Sequence, residues 1–125
     1  MRPTPNPGVD GFLRGAAEDA LFTSAIVVGE ILLGLHQLPD GERKTRMTRR
    51  FSSLRGGFGG RVLPIGEHTA ELWADLRGNA LSRGTTIPAI DGLIAASALE
   101  RGLTVVTRNA RDFIAAGAKV LDPWT

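Results

Sequence analysis

Polar side chains flank two apolar segments in the C-terminal half of the sequence. Asp91 lies near the start of the small-residue segment "IPAIDGLIAASALERG", and Thr107, Asn109 and Asp112 follow or end the apolar run "LTVVT". A carboxylate on an apolar face is costly to bury unless it is paired. Oxygen ligands, in a chain without cysteine or suitably spaced histidine, suit Mg²⁺ or Mn²⁺. These residue types therefore predict a divalent-metal site that includes Asp91.

Glu30 raises the same question in the N-terminal half. Its neighbours one helical turn away are apolar, in a segment that is apolar nearly all round, "AIVVGEILLGLHQL". The alternative is that Glu30 lies on a narrow exposed ridge or pairs with an arginine. We take Glu30 as a second candidate acid of the same site.

The other candidates also have simpler explanations. Asp91 would lie in the first turn of its helix, where the helix dipole stabilises an acid by about 0.3–1 kcal/mol. Asn109 with Asp112 three residues later is typical of a helix N-cap, in a variant of the capping box. That role does not exclude function, because both residues follow a strand, and ligands of open α/β sheets bind at the carboxyl ends of the strands. His36 and His68 lack metal-ligand spacing and are predicted to lie on the surface.

Helical and strand patterns alternate along the chain. The predicted helices are 9–16, 25–38, 39–57, 67–84, 91–101 and 110–117, and the predicted strands are 21–25, 61–65, 103–107 and 119–122. Ser24 is a candidate N-cap, and Gly102 closes the helix that contains Asp91. Pro3, Pro5 and Pro7 predict an extended or turn segment at the start of the chain. The alternation predicts an α/β fold with a largely parallel sheet.

The bulk composition bounds the class of protein. The 125 residues fit one domain, 1–125, and the absence of cysteine excludes disulfides and thiolate metal sites. No apolar run reaches the roughly 18 residues of a membrane helix, and the N-terminus lacks the apolar core of a signal peptide, so a cytoplasmic protein is expected. Residues 43–61 contain seven basic side chains and no acid. Such a run suits phosphate contacts, although a solvated helix face is the simpler alternative.

Four stretches together resemble one family. In order and spacing, "SAIVVGEILLGL", "RVLPI", "IPAIDGLIAASALERGLTVVTRNARDF" and "KVLDPW" are similar to the VapC-like PIN-domain toxins. The resemblance implies a three-layer PIN-like fold, with a parallel sheet flanked by helices and an acidic cluster that binds Mg²⁺ or Mn²⁺ at its carboxyl edge. It also implies endoribonuclease activity, a homodimer, and neutralisation by a VapB-type antitoxin in a type II toxin–antitoxin pair.

The resemblance assigns roles to particular residues. Glu30, Asp91 and Asp112 match acids of the metal site, and Asn109 with Asp112 matches the polar pair of the last catalytic loop. The side chains that would then contact the RNA backbone are Arg43, Lys44, Arg46, Arg49, Arg50, Thr107, Arg108 and Arg111.

The start of the chain departs from the family pattern. Family members open with a strand that carries an aspartate, of the type "LLDTNVLSE", before the proline-rich segment, whereas this sequence begins at Met1 inside that segment. We therefore expect an N-terminally truncated domain that lacks a central strand and one acid, either because Met1 is an internal methionine or because the toxin is degraded. Asp10 is predicted to start a helix and would not replace that acid. The alternatives are an inactive toxin remnant that only binds an antitoxin, and an α/β protein whose acids are caps and surface charges.

Overall fold

Six helices and four short strands make up the part of the chain that the computed structural model describes, residues 7–16 and 18–124. The helices are α1 Pro7–Gly15, α2 Ala25–His36, α3 Glu42–Phe58, α4 Glu67–Ser82, α5 Ala89–Arg101 and α6 Ala110–Ala115. The strands are β1 Thr23–Ser24, β2 Val62–Leu63, β3 Val105–Val106 and β4 Val120–Leu121, with 3-10 turns at Glu18–Ala20 and Gly59–Arg61. The predicted α/β alternation is confirmed. Pro3 and Pro5 lie outside the described residues. The prediction that Pro7 belongs to the same extended or turn segment is wrong, because Pro7 is the first residue of α1. Proline fits that position, since its fixed φ suits a helix and its missing N–H would have no partner there.

The strands form two parallel pairs. β1 pairs with β2, with Ser24 opposite Leu63, and β3 pairs with β4, with Val105 opposite Val120. Within residues 7–16 and 18–124 no strand joins the two pairs, so they form two separate two-stranded sheets. Each pair is short because only two residues of each strand align, and helix packing must therefore supply much of the order.

Helix α2 begins as its sequence predicts. The buried Ser24 has an extended backbone, and its Oγ accepts a hydrogen bond from the backbone N–H of Val27 at 3.3 Å. An N-cap of this kind satisfies one of the amides that a helix start leaves without a partner. The prediction that Ser24 caps this helix is confirmed, and the cap fixes the start of the helix that carries Glu30.

The core lies where α4, α5 and α6 meet the strand pair β3–β4. Its buried members are Leu76, Ala80, Ile87, Ala95, Ala96, Ala98, Val105, Phe113 and Ala116. Alanines on α5 allow the backbones of α4 and α5 to approach closely, which gives close-packed contact along both helices. Gly102 ends α5 in the left-handed conformation (φ 65°) that glycine adopts without strain. The packing therefore holds α5 firmly, and Asp91 lies in its first turn.

None of the helices in the described residues has both the length and the apolar character that crossing a membrane requires.

Candidate active site at the start of α5 and α6

Two helix starts bring two carboxylates together. Pro88 is the N-cap of α5 and Asp91 lies in the first turn that follows it, while Asn109 precedes α6 and Asp112 lies in the first turn of that helix. Both carboxylates are partly buried. The positive end of each helix dipole favours an acid at such a position. The two helices thus present Asp91 and Asp112 at one place.

The two acids interact electrostatically. Loss of solvent contact on partial burial raises the pKa of Asp91 above its ordinary value of 3.8, and the negative charge of Asp112 raises it further. Both effects disfavour the ionised carboxylate. A cation bound by both carboxylates would remove the repulsion between Asp91 and Asp112.

The loop between β3 and α6 departs from one prediction. Asn109 occupies the N-cap position, but its side chain makes no capping hydrogen bond, so the predicted capping role of that side chain is wrong. The backbone of Asn109 (φ −93°, ψ 74°) lies outside the extended conformation from which a cap side chain reaches the first turn. The backbone N–H of Asn109 donates to Thr107 Oγ1 at 3.1 Å. The exposed amide of Asn109 is therefore available to a ligand.

Glu30 is exposed on α2 and forms no hydrogen bond or ion pair with the residues that the structure describes. Its neighbours 29 and 31–34 are exposed as well, so Glu30 lies on a broadly exposed part of α2 rather than on a narrow ridge. Among residues 7–16 and 18–124, no three acidic or histidine side chains lie close enough together to hold a metal ion. The structure therefore joins Asp91 to Asp112 and does not add Glu30 to that pair.

The basic residues fall into two groups. Six arginine side chains are exposed and form no ion pair or hydrogen bond within the described part of the chain: Arg43, Arg46, Arg49, Arg50, Arg108 and Arg111. Lys44, in contrast, donates to the carbonyl of His36 at 3.3 Å and to Asp40 at 3.4 Å. Arg61 donates to the carbonyls of Leu21 and Gly57, both at 2.9 Å. Lys44 and Arg61 thus have structural contacts, whereas the six arginines are free for phosphate.

Two residues that sequence analysis passed over lie against the start of α5. Trp73 and Arg77 of α4 both donate side-chain hydrogen bonds to the backbone of residues 87–89. The sequence offered only a weak signal, an aromatic and an arginine one helical turn apart beside an apolar stripe. His36 and His68 are exposed, as predicted.

The donor set fits a hard divalent ion. Asp91 and Asp112 supply two carboxylates, and the loop that leads to Asp112 carries the amide of Asn109 and the hydroxyl of Thr107. Mg²⁺ is typically held by one or two carboxylates, several waters and substrate phosphates. The raised pKa of Asp91 supports this fit, because it reflects first the burial of that carboxylate and second the negative charge of Asp112, and a bound cation would offset both.

The raised pKa predicts how stability depends on pH without metal. The folded protein holds the Asp91 proton more tightly than the unfolded chain, so the protonated carboxyl contributes its full stability below pH 3.8. That contribution is lost as the pH rises through the higher pKa of the folded state. Urea unfolding from acid to neutral pH in EDTA should therefore show a fall in stability that the Asp91→Asn variant lacks. If the free energy of unfolding changes with pH in the same way in both proteins, the raised pKa does not belong to Asp91.

Known proteins match nearly the whole chain. Residues 6–119 match the PIN domain family. Toxin FitB of Neisseria gonorrhoeae (strain ATCC 700825 / FA 1090) is 38% identical over 125 residues, which cover 99% of this chain and 90% of that protein. VapC ribonuclease Y4jK of Sinorhizobium fredii (strain NBRC 101917 / NGR234) is 35% identical over 121 residues, 96% of this chain and 86% of that protein. The crystal structure of FitAcB from Neisseria gonorrhoeae has a TM-score of 0.94 at 39% identity, covering 98% of this chain and 89% of that one.

Proposed function

Because the chain belongs to the PIN domain family, as its sequence resemblance predicted, we propose that it is a ribonuclease toxin of the VapBC type that requires Mg²⁺ or Mn²⁺. The observation that carries the proposal is that the starts of α5 and α6 hold two carboxylates, Asp91 and Asp112, near enough for the charge of Asp112 to raise the pKa of Asp91. The names of the two relatives, a toxin and a ribonuclease, support it. Such an enzyme would act in the cytoplasm, where its RNA is found.

The chain's own residues divide the work of phosphodiester hydrolysis. Asp91 and Asp112 would hold the ion. Glu30 lies apart from this pair in the structure and is proposed as a third acid on the family resemblance alone. When bound, the ion supplies Lewis-acid stabilisation of charge on the scissile phosphate. The exposed Asn109 amide and the Arg108 guanidinium would orient that phosphate, since both lie in the loop between β3 and α6, just before Asp112. The hydrogen bond from the Asn109 N–H to Thr107 Oγ1 holds the loop in place.

Helix α3 is proposed as the RNA-binding surface. Arg43, Arg46 and Arg50 recur at three and four residues, so they share one side of the helix, and all three are exposed. Cations along a helix suit the sequence-independent attraction of a phosphate backbone. A single-stranded loop of a structured RNA is the expected target, because unstacked bases are what RNA-reading proteins recognise.

Replacing Arg46 with alanine should weaken RNA binding and lower its dependence on salt. Loss of one phosphate contact reduces the slope of log K against log salt by about 0.7 for single strands. Fluorescence anisotropy of a labelled RNA in a salt series measures this slope. Arg101→Ala is the matched control, because it removes an exposed charge at the end of α5 opposite Asp91. If RNA affinity falls equally in Arg46→Ala and Arg101→Ala, net charge rather than the α3 surface governs binding.

A VapB-type antitoxin and a second copy of the chain are the proposed protein partners. Helix α2 exposes three consecutive large apolar side chains, Ile31, Leu32 and Leu33, and Leu33 is 58% exposed. Contiguous exposed apolar residues are typical of protein interfaces. Because consecutive residues point to different sides of a helix, α2 is exposed and apolar over more than one face, which supports a helix that is covered by protein partners.

The decisive experiment is an RNA cleavage assay. The purified chain is incubated with structured RNA in Mg²⁺, in Mn²⁺ and in excess EDTA, and circular dichroism establishes that the protein is folded in each. Cleavage that requires the ion supports the proposal. Failure of the folded protein to cleave in either ion would reject it and favour the alternative, an inactive relative that only binds an antitoxin.

A further inference from the structure

We propose that Trp73 and Arg77 of α4 are positioning residues, which fix the first turn of α5 and thereby place the Asp91 carboxylate. We call these two side chains the α4 clamp. The inference rests on the proposed function, since it concerns the acid that the ribonuclease site needs.

The clamp contacts the backbone on both sides of the α5 start. Trp73 Nε1 donates to the carbonyl of Ala89 at 3.0 Å, and Arg77 Nε donates to the carbonyl of Ile87 at 3.0 Å. The guanidinium carbon of Arg77 lies 5.1 Å from the centre of the Trp73 ring, within the range of a cation–π contact. Each side chain thus orients the other, and together they hold Ile87 and Ala89, which flank the N-cap Pro88.

Gly92 shows how closely the clamp approaches the residue after Asp91. A methyl group in place of its hydrogen would lie 3.2 Å from Trp73 Cδ1, 3.3 Å from Trp73 Nε1 and 3.4 Å from Arg77 Cδ. Among the glycines from Gly11 to Gly117 this is the one whose added Cβ would meet another side chain within 4 Å. The indole therefore packs directly on the backbone of the first turn.

The first turn of α5 lacks a side-chain cap of its own. Pro88 occupies the N-cap position and makes no side-chain capping hydrogen bond, and the Gly92 N–H donates to the Pro88 carbonyl at 2.9 Å as the first helical bond. A helix start without a cap frays readily. The α4 clamp does not cap the free N–H groups, because its bonds go to carbonyls, but it restrains the backbone at the end of α5 that carries Asp91.

The rest of the helix pair has separate support. Alanines 95, 96 and 98 pack in the core between α4 and α6, and at the far end Thr69 Oγ1 donates to Glu100 Oε1 at 2.8 Å. Loss of the clamp should therefore leave α4 and α5 packed together, while the Asp91 end moves. That difference separates positioning from general stabilisation.

The test compares Trp73→Phe, Arg77→Met and the matched control Thr69→Val. Trp73→Phe keeps an aromatic ring without the N–H donor, and Thr69→Val breaks the polar α4–α5 contact at the opposite end of the helix. Two quantities are measured: the Kd for Mn²⁺ by calorimetry, and amide hydrogen exchange of residues 89–94 in EDTA. We expect the clamp variants to weaken Mn²⁺ binding about tenfold and to speed exchange in that turn, because groups that orient a ligand typically change affinity by this factor. Thr69→Val should change neither.

Charge makes the Arg77 result diagnostic. Removal of a cation near an ion site would by electrostatics alone tighten Mn²⁺ binding, so weaker binding by Arg77→Met indicates lost positioning. The inference is overturned if exchange at residues 89–94 is unchanged in the clamp variants, or if Thr69→Val speeds it equally. If the unaltered protein binds no Mn²⁺, the proposed metal site fails, and hydrogen exchange alone then decides for or against the clamp.

Discussion

Asp91→Asn is expected to abolish metal-dependent RNA cleavage in a protein that stays folded. Groups that merely orient a metal ligand change affinity by about 10–100-fold, so loss of a ligand carboxylate should lower cleavage by at least about a hundredfold. Asparagine has nearly the same size, so the packing of α5 is preserved. Cleavage rates at saturating Mn²⁺ measure the activity, and unfolding curves of the same preparations show whether the variant is folded.

The stability of the variant should move in the opposite direction to its activity. Burial and the charge of Asp112 both disfavour the ionised Asp91, as the raised pKa indicates. At neutral pH the ionised carboxylate therefore opposes folding when metal is absent, and the neutral amide does not. In EDTA we expect Asp91→Asn to be at least as stable as the unaltered protein. Added Mn²⁺ should stabilise the unaltered protein and have little effect on the variant, because only a bound ligand shifts the folding equilibrium.

Asp75→Asn is the matched control for this prediction. Asp75 is an exposed carboxylate on α4, and its replacement makes the same chemical change away from the starts of α5 and α6. Cleavage and stabilisation by Mn²⁺ should both survive in this variant. Full activity of Asp91→Asn would refute the role of Asp91, and lost activity of Asp75→Asn would show that the assay reports total charge.

Local patterns predicted the elements because each pattern reflects a local cause. The side chain of Ser24 and the left-handed Gly102 act on their own helices, and both were predicted from a few neighbouring residues. Helix α5 begins at Ala89, two residues before the predicted start, because the Pro88 carbonyl already accepts the first helical hydrogen bond, from the Gly92 N–H. The strands are shorter than predicted, because pairing depends on a partner strand that lies about 15 or 40 residues away in the sequence.

Contacts between elements account for what the sequence did not predict. Arg61 looked like one of seven similar basic residues, yet the carbonyl of Leu21, 40 residues away, accepts its Nε–H. Trp73 and Arg77 reach residues 10 to 16 positions later in the chain. Residue types and spacing along one helix carry no information about such partners. The pairing of Asp91 with Asp112 was predicted because both follow recognisable helix starts, and the family resemblance placed them in one site.

Phe113→Ala is expected to have the largest effect on stability. The ring is 4% exposed and packs in the core with Leu76, Val105 and Ala116. Truncation of a buried phenylalanine costs about 3–5 kcal/mol, from lost burial and the cavity that remains. The free energy of unfolding of a small domain is only about 5–15 kcal/mol. This variant should therefore be partly unfolded at physiological temperature. Urea denaturation followed by circular dichroism gives the free energy of unfolding directly.

Ile114→Ala separates this effect from the loss of any large apolar side chain on α6. Ile114 is the next residue of the same helix but is 62% exposed, so its truncation should change stability by only about 0.5 kcal/mol. Similar losses in the two variants would mean that α6 does not pack as described. Phe113 also adjoins Asp112, so Phe113→Ala should lose Mn²⁺ binding together with its fold. Asp91→Asn should lose Mn²⁺ binding and keep its fold, and this contrast distinguishes a residue of the site from a residue that supports it.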